Sequence, residues 1–156
     1  MSVLDCAARC GAPIVRAANA LQGPMLLLLR CWVAWAFFKS GLTKLDDWDT
    51  TLLLFTEEYH VPLLPPAVAA VLGTFGETVL PPLLALGLAG RFAAAGLFVV
   101  NAVAVLSYPT LQGAALEFHY YWGMMLATVA AFGPGWLSLD AWLCRRCRHD
   151  AGCGVA

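Results

Sequence analysis

The chain alternates long apolar runs with short polar breaks, and the runs are long enough to cross a bilayer. Residues 3–21 mix small apolar side chains with Arg9, Arg16 and Asn19 before Gly23-Pro24. This pattern predicts a helix lying at the membrane interface, ended by the Gly-Pro pair. A first span follows from Pro24 to about Leu42, rich in Leu, Trp and Phe but carrying Arg30 and Lys39. From Asp46 to His60, acidic and apolar residues interleave as in a surface helix, closed by Pro62, Pro65 and Pro66. A second span runs from about Pro66 to Leu88, and Gly87 and Gly90 bracket a tight turn. The third continues from Arg91 to about Tyr108, and the fourth from about Phe118 to Phe132. Gly133-Pro134-Gly135 interrupts that helix, and Ser138 is placed to cap a short last one through Asp140 and Trp142.

The expected fold is therefore all-α, a membrane four-helix bundle with short interfacial helices at the N-terminus, in the first outer loop and near the C-terminus. Residues 1–23 form an interfacial segment, 24–143 the transmembrane domain and 144–156 a Cys/Arg tail. Composition agrees: 61% of the 156 residues are hydrophobic and 12% charged, about half the charge of a soluble domain. The net charge of -1 gives no basic excess for nucleic acid, and the expected surroundings are the lipid bilayer. The first 23 residues hold no continuous apolar core before a cleavage site, so the spans themselves are expected to direct insertion.

Lysine and arginine fix the expected orientation. Arg9, Arg16, Arg91, Arg145, Arg146 and Arg148 fall on the side of both termini, which is then cytoplasmic. Lys39 and Lys44 lie on the other side, beside Asp46, Asp47, Asp49, Glu57 and Glu58. Tyr59, Tyr108, Tyr120, Tyr121 and Trp122 fall near that outer interface, where aromatic rings concentrate.

Glu77 is the leading candidate for chemistry. It lies near the middle of the second span, roughly 16 to 18 Å from either end. A carboxylate there costs about 2.5 to 3.5 kcal/mol, so it is expected to face the bundle and have a partner. Gly73 and Gly76 precede it by about a turn and allow a neighbouring helix close. Pro81 and Pro82 cannot donate to the carbonyls of Glu77 and Thr78, which leaves acceptors beside the carboxylate.

At about 100° per residue, Arg30 and Lys39 point to opposite faces of the first helix. Arg30 shares its stripe with Ala34, Phe37, Gly41 and Lys44 and is the expected partner of Glu77; Lys39 is expected to snorkel outward. Asn101 lies at a similar depth in the third span and is expected as a third member of the cluster. His119, at the outer start of the fourth helix, is a candidate for receiving or releasing a proton. Two readings stand side by side. Arg30, Glu77, Asn101 and His119 form a catalytic or proton-handling cluster, or the first three are a packing clamp whose bonds contribute about 1 kcal/mol each.

The six cysteines sit largely at the ends. Cys6, Cys10, Cys144 and Cys147, with His149 and Cys153 nearby, would share the cytoplasmic face. Such thiolates suit zinc or copper(I), or a dithiol that exchanges electrons; the alternative is incidental thiols. Cys31, in the first span, is expected as a small packing residue. No nucleotide-binding loop, zinc-protease helix or haem-attachment motif occurs.

Arg30, then Phe37-Phe38-Lys39-Ser40-Gly41-Leu42-Thr43-Lys44 and Glu58-Tyr59-His60-Val61-Pro62-Leu63-Leu64, resemble the opening half of DoxX-family membrane proteins. The resemblance continues through Gly73-Thr74, Glu77 and Gly87-Leu88-Ala89-Gly90-Arg91-Phe92-Ala93-Ala94. Gly133-Pro134-Gly135 and Leu137-Ser138-Leu139-Asp140 complete it. It implies a four-helix bundle in the bacterial inner membrane. It also implies a role like that of the membrane subunits of a thiosulfate:quinone oxidoreductase or of redox-stress complexes. The wording is most similar to members encoded beside non-haem iron enzymes that modify cysteine-containing, metal-binding peptides.

The leading expectation is thus a membrane subunit of a redox system handling quinone or sulfur and thiol chemistry with a partner protein. The alternatives are a non-enzymatic anchor, a copper-handling accessory for a modified peptide, or a small transporter extended by homo-oligomerisation.

Overall fold

Apolar stretches of this length satisfy their own backbone hydrogen bonds only as helices, and helices are what the chain forms. A computed structural model describes the backbone of residues 3–152 and the side chains of residues 12–147. Among the described residues there are six helices and no strand: α1 (Val3–Asp46), α2 (Trp48–Glu57), α3 (Pro66–Leu86), α4 (Gly90–Ser107), α5 (Ala114–Phe132) and α6 (Leu139–Gly152). Three are long and apolar enough to cross a membrane, over Ala12–Asp46, Pro66–Leu86 and Gly90–Ser107. Trp32, Trp35, Phe75, Phe92 and Met124 are exposed on their outer faces and on α5. An apolar exterior of that kind needs lipid around it, and the chain is a multi-pass membrane protein.

The expected break at Gly23-Pro24 does not occur, because α1 runs through both residues as one 44-residue helix. Pro24 removes a single donor, a loss that membrane helices tolerate. Gly23 serves packing instead: a Cβ there would overlap the Trp136 indole.

One core is shared by Val33, Ala34 and Phe37 of α1, Leu84 of α3, Ala93, Ala94 and Leu97 of α4, and Leu126 and Val129 of α5. A second, smaller cluster packs Phe55 of α2 on Ala69 and Ala70 of α3. Bare glycine edges set the helix spacing. A Cβ on Gly41 would lie 2.9 Å from the Glu77 carbonyl oxygen, and one on Gly76 would lie 3.0 Å from Val100. Gly41 thus lets α1 rest directly on the α3 backbone at Glu77, whereas Gly73 meets only the Phe55 ring.

The end of the bundle near the α3–α4 turn is knitted by polar groups. Gly87 ends α3 at φ 67°, a left-handed position suited to glycine. Asp140 accepts hydrogen bonds from the backbone N–H groups of Ala89 and Gly90, both 2.9 Å, and so caps α4 from another helix. Its own N–H donates to the Gly87 carbonyl at 3.0 Å. Ser138 caps α6 as expected, accepting from the Ala141 N–H at 3.2 Å.

Candidate functional site

Lys44 occupies the last turn of α1 on the same stripe as Gly41. Helical side chains lean back toward the N-terminus, which brings its ammonium over the bare Gly41 edge. Lys44 Nζ donates to Ser40 Oγ at 2.9 Å and to Glu77 Oε2 at 2.5 Å. Both partners are largely shielded, with side chains 19% and 10% exposed.

The expected Arg30–Glu77 pair is not formed. Gly41 rests on Glu77, so Arg30 lies eleven residues away along α1, or about 16 Å, beyond the reach of its side chain. Arg30 is fully buried, and its Nη2 donates to the Leu137 carbonyl at 2.5 Å. It joins the Asp140-capped end of the bundle instead of the site. Lys39 is exposed, on the face opposite the stripe.

Asn101 and His119 form a second pair. Asn101 Nδ2 donates to the His119 carbonyl at 3.0 Å, and His119 Nδ1 lies 2.8 Å from Asn101 Oδ1. The amide oxygen only accepts, so Nδ1 carries the proton and donates. In the neutral ring this leaves Nε2 as an acceptor. Trp122 packs edge-on against the imidazole with centroids 5.0 Å apart. Asn101 thus joins the cluster through His119, with no bond to Glu77.

A cavity of about 370 Å³ brings the two pairs together. Lys44, Ser40 and Glu77 line it from α1 and α3, and His119 from α5. Tyr59, Phe55, Ser107 and Tyr108 contribute further walls from α2, α4 and the loops that follow them. The rings of Phe55, Tyr59 and Tyr108 contact edge to face in series, at 5.0 and 5.1 Å. The His60 N–H donates to the Ser107 carbonyl at 2.8 Å, tying the loop after α2 to the end of α4. Burial raises the Tyr59 phenol above its ordinary pKa, with Tyr108 adding to the effect; Tyr59 therefore remains a proton donor. Ser107 is 2% exposed and its hydroxyl has no hydrogen-bond partner among the described residues. Ser107 belongs to the cavity wall, but its hydroxyl oxygen is itself shielded behind that wall.

The sequence places Lys44 on the Arg30 stripe and Tyr59 and Tyr108 in the aromatic belt, but nothing in it brings these residues, Ser40 and Ser107 to one cavity. Ser107 carries no signal in sequence, since a hydroxyl at a helix end is common.

Of the cysteines, Cys144 and Cys147 are exposed and free, while the side chains of Cys6 and Cys10 lie outside the described residues. Among the described residues no three His, Cys, Asp or Glu side chains converge on a common point. Cys31 is exposed on α1 and does not pack in the core as expected.

The sequence model of the DoxX family matches residues 25–110, which include Lys44, Glu77, Asn101 and Ser107 but stop short of His119. No curated protein and no solved structure matches the chain.

Proposed function

The chain belongs to the DoxX family, and from that premise we propose that it is a membrane subunit of a redox system whose cavity binds a quinone head group. The observation that carries this reading is the cavity itself. It is mostly apolar and aromatic, yet a Lys44–Glu77 ion pair and a tautomer-fixed His119 line it. Few convergent polar groups in an apolar pocket are what orients a small ring.

A quinone bound there supplies two-electron, two-proton chemistry, with the electrons coming from a partner protein. Lys44 donates a hydrogen bond to one ring oxygen and steadies negative charge that develops on it. Glu77 holds Lys44 in place and exchanges protons with it. His119, with Nδ1 engaged by Asn101, would first take a proton from outside at Nε2, then donate it to the second oxygen and return to the neutral Nδ1–H ring. Tyr59 and Tyr108 cover the ring.

In this reading α5 is the fourth span, completing a four-helix bundle in a bacterial inner membrane. The Arg-rich tail and both termini are cytoplasmic, and the cavity lies toward the outer face.

The test is equilibrium binding of a tailless benzoquinone to the purified chain in lipid nanodiscs. Wild type is expected to bind saturably. Glu77→Gln and Lys44→Met should each weaken binding about tenfold or more while the protein still accumulates in the membrane. Unchanged binding in both variants overturns the reading.

A further inference from the structure

The cavity wall is not uniform around its circumference: its polar residues are buried or half-buried, and its most exposed residues are all apolar. The floor is closed where α3 and α4 touch, with Gly76 against Val100 and Gly96 against Leu80. On the Gly73 side of that contact Leu72 and Gly73 of α3 and Val103 and Ala104 of α4 line the cavity, and Val99 joins the lining at the level of the contact itself. Three residues on its lining are substantially exposed: Leu64 at 41%, Leu72 at 53% and Val99 at 60%. They come from the loop before α3, from α3 and from α4. The polar lining groups Glu77 and Ser107 lie inward and are buried.

We infer that the cavity opens sideways into the bilayer between Leu72 and Val99, and that its ligand is a membrane-dissolved amphiphile whose apolar tail leaves through that opening. This rests on the reading of the cavity as a head-group site. The size of the cavity supports the tail. About 370 Å³ is near the lower end of ligand pockets, about 300 to 1,000 Å³, so it takes a ring but not a ring with a long chain. The opening has no charged or hydrogen-bonding side chain among these three residues, so it offers nothing to a hydrated solute. A hydrocarbon chain meets Leu and Val there on the same terms as in the surrounding lipid. Among redox substrates of the membrane, this selects long-tailed quinones over small water-soluble sulfur compounds.

The test uses the full chain in phosphatidylcholine nanodiscs with two probes, a tailless benzoquinone and the same ring bearing a decyl chain. Val99→Trp and Leu72→Trp place bulk in the opening. Each is expected to weaken the decyl probe about tenfold at equal membrane concentration while changing the tailless probe less than about twofold. Lys44→Met, at the head end, should weaken both. Loss of both probes in the Trp variants, or of neither, overturns the sideways opening and leaves the head-group reading standing. Failure of the wild type to bind either probe removes both readings. A second measurement is independent of how well the Trp variants fold. A nitroxide attached at Val99→Cys, with the native cysteines replaced, is expected to be relaxed more by oxygen than by a water-soluble nickel chelate. The reverse order places the opening in water and overturns the proposal.

Discussion

The Lys44 ammonium lies 2.5 Å from the Glu77 carboxylate, fourteen residues along one helical stripe from the Arg30 guanidinium, which ends at the Leu137 carbonyl. The two cations of that stripe thus serve opposite ends of the bundle. One sits in the cavity, and the other fastens the segment before α6.

This division makes the two charges of the ion pair unequal. Removing Lys44 strands a buried carboxylate, whereas removing Glu77 leaves a lysine in the last turn of α1 that is free to swing toward the outer interface. Lys44→Met is therefore expected to destabilise the protein by about 3 kcal/mol, and Glu77→Gln by clearly less. The double variant should be milder than the sum of the two. Thermal unfolding in detergent measures all three.

Gly41 carries the α1–α3 contact at the site. Gly41→Ala puts a methyl group within 2.9 Å of backbone atoms of Glu77, which cannot yield as a flexible side chain would. The expected loss is about 1 to 3 kcal/mol, with weaker ligand binding because the Lys44–Glu77 geometry shifts. Gly73→Ala, whose new methyl meets only the Phe55 ring at 3.4 Å, should melt within a few degrees of wild type.

Asp140 caps α4 through two N–H groups. Asp140→Ala is expected to cost about 1 to 2 kcal/mol, and hydrogen exchange should quicken at Ala89 and Gly90. The cavity lies at the other end of α4, so binding of a tailless quinone should be unchanged. A variant that loses binding as well as exchange protection would show that the two ends are coupled.

The start of α2 should respond to acid. The Thr50 hydroxyl at 2.6 Å and the Thr50 N–H at 3.0 Å hold the Asp47 carboxyl below its ordinary pKa. With the folded value depressed, the stabilisation is complete above the unfolded value of about 3.9 and is lost as pH falls through the folded one. Hydrogen exchange at Thr50 and Thr51 should accelerate only at the acid end of a pH series. Asp47→Asn, which keeps the cap without the titration, should flatten that dependence.

Much of the fold is legible along the chain because membrane insertion constrains sequence so strongly. Apolar length placed α3 and α4 within a residue or two of their observed ends, and Ser138 announced the start of α6. The helical stripe carrying Arg30, Gly41 and Lys44 follows from period alone. What the sequence by itself determined is which residues share a face and that Glu77 needs a partner. Depth was decided by tertiary structure: Gly41 seats α3 on α1 at one height, and that height gives Glu77 to Lys44 and leaves Arg30 to Leu137. Gly23-Pro24 illustrates the same limit, since a local break signal was overridden by Trp136 packing from 113 residues away. The cavity, its Ser107 hydroxyl and its apolar opening exist only where α2, α3, α4 and α5 meet. No single segment encodes them, because they are set by the distances between helices and not by the pattern within any one of them.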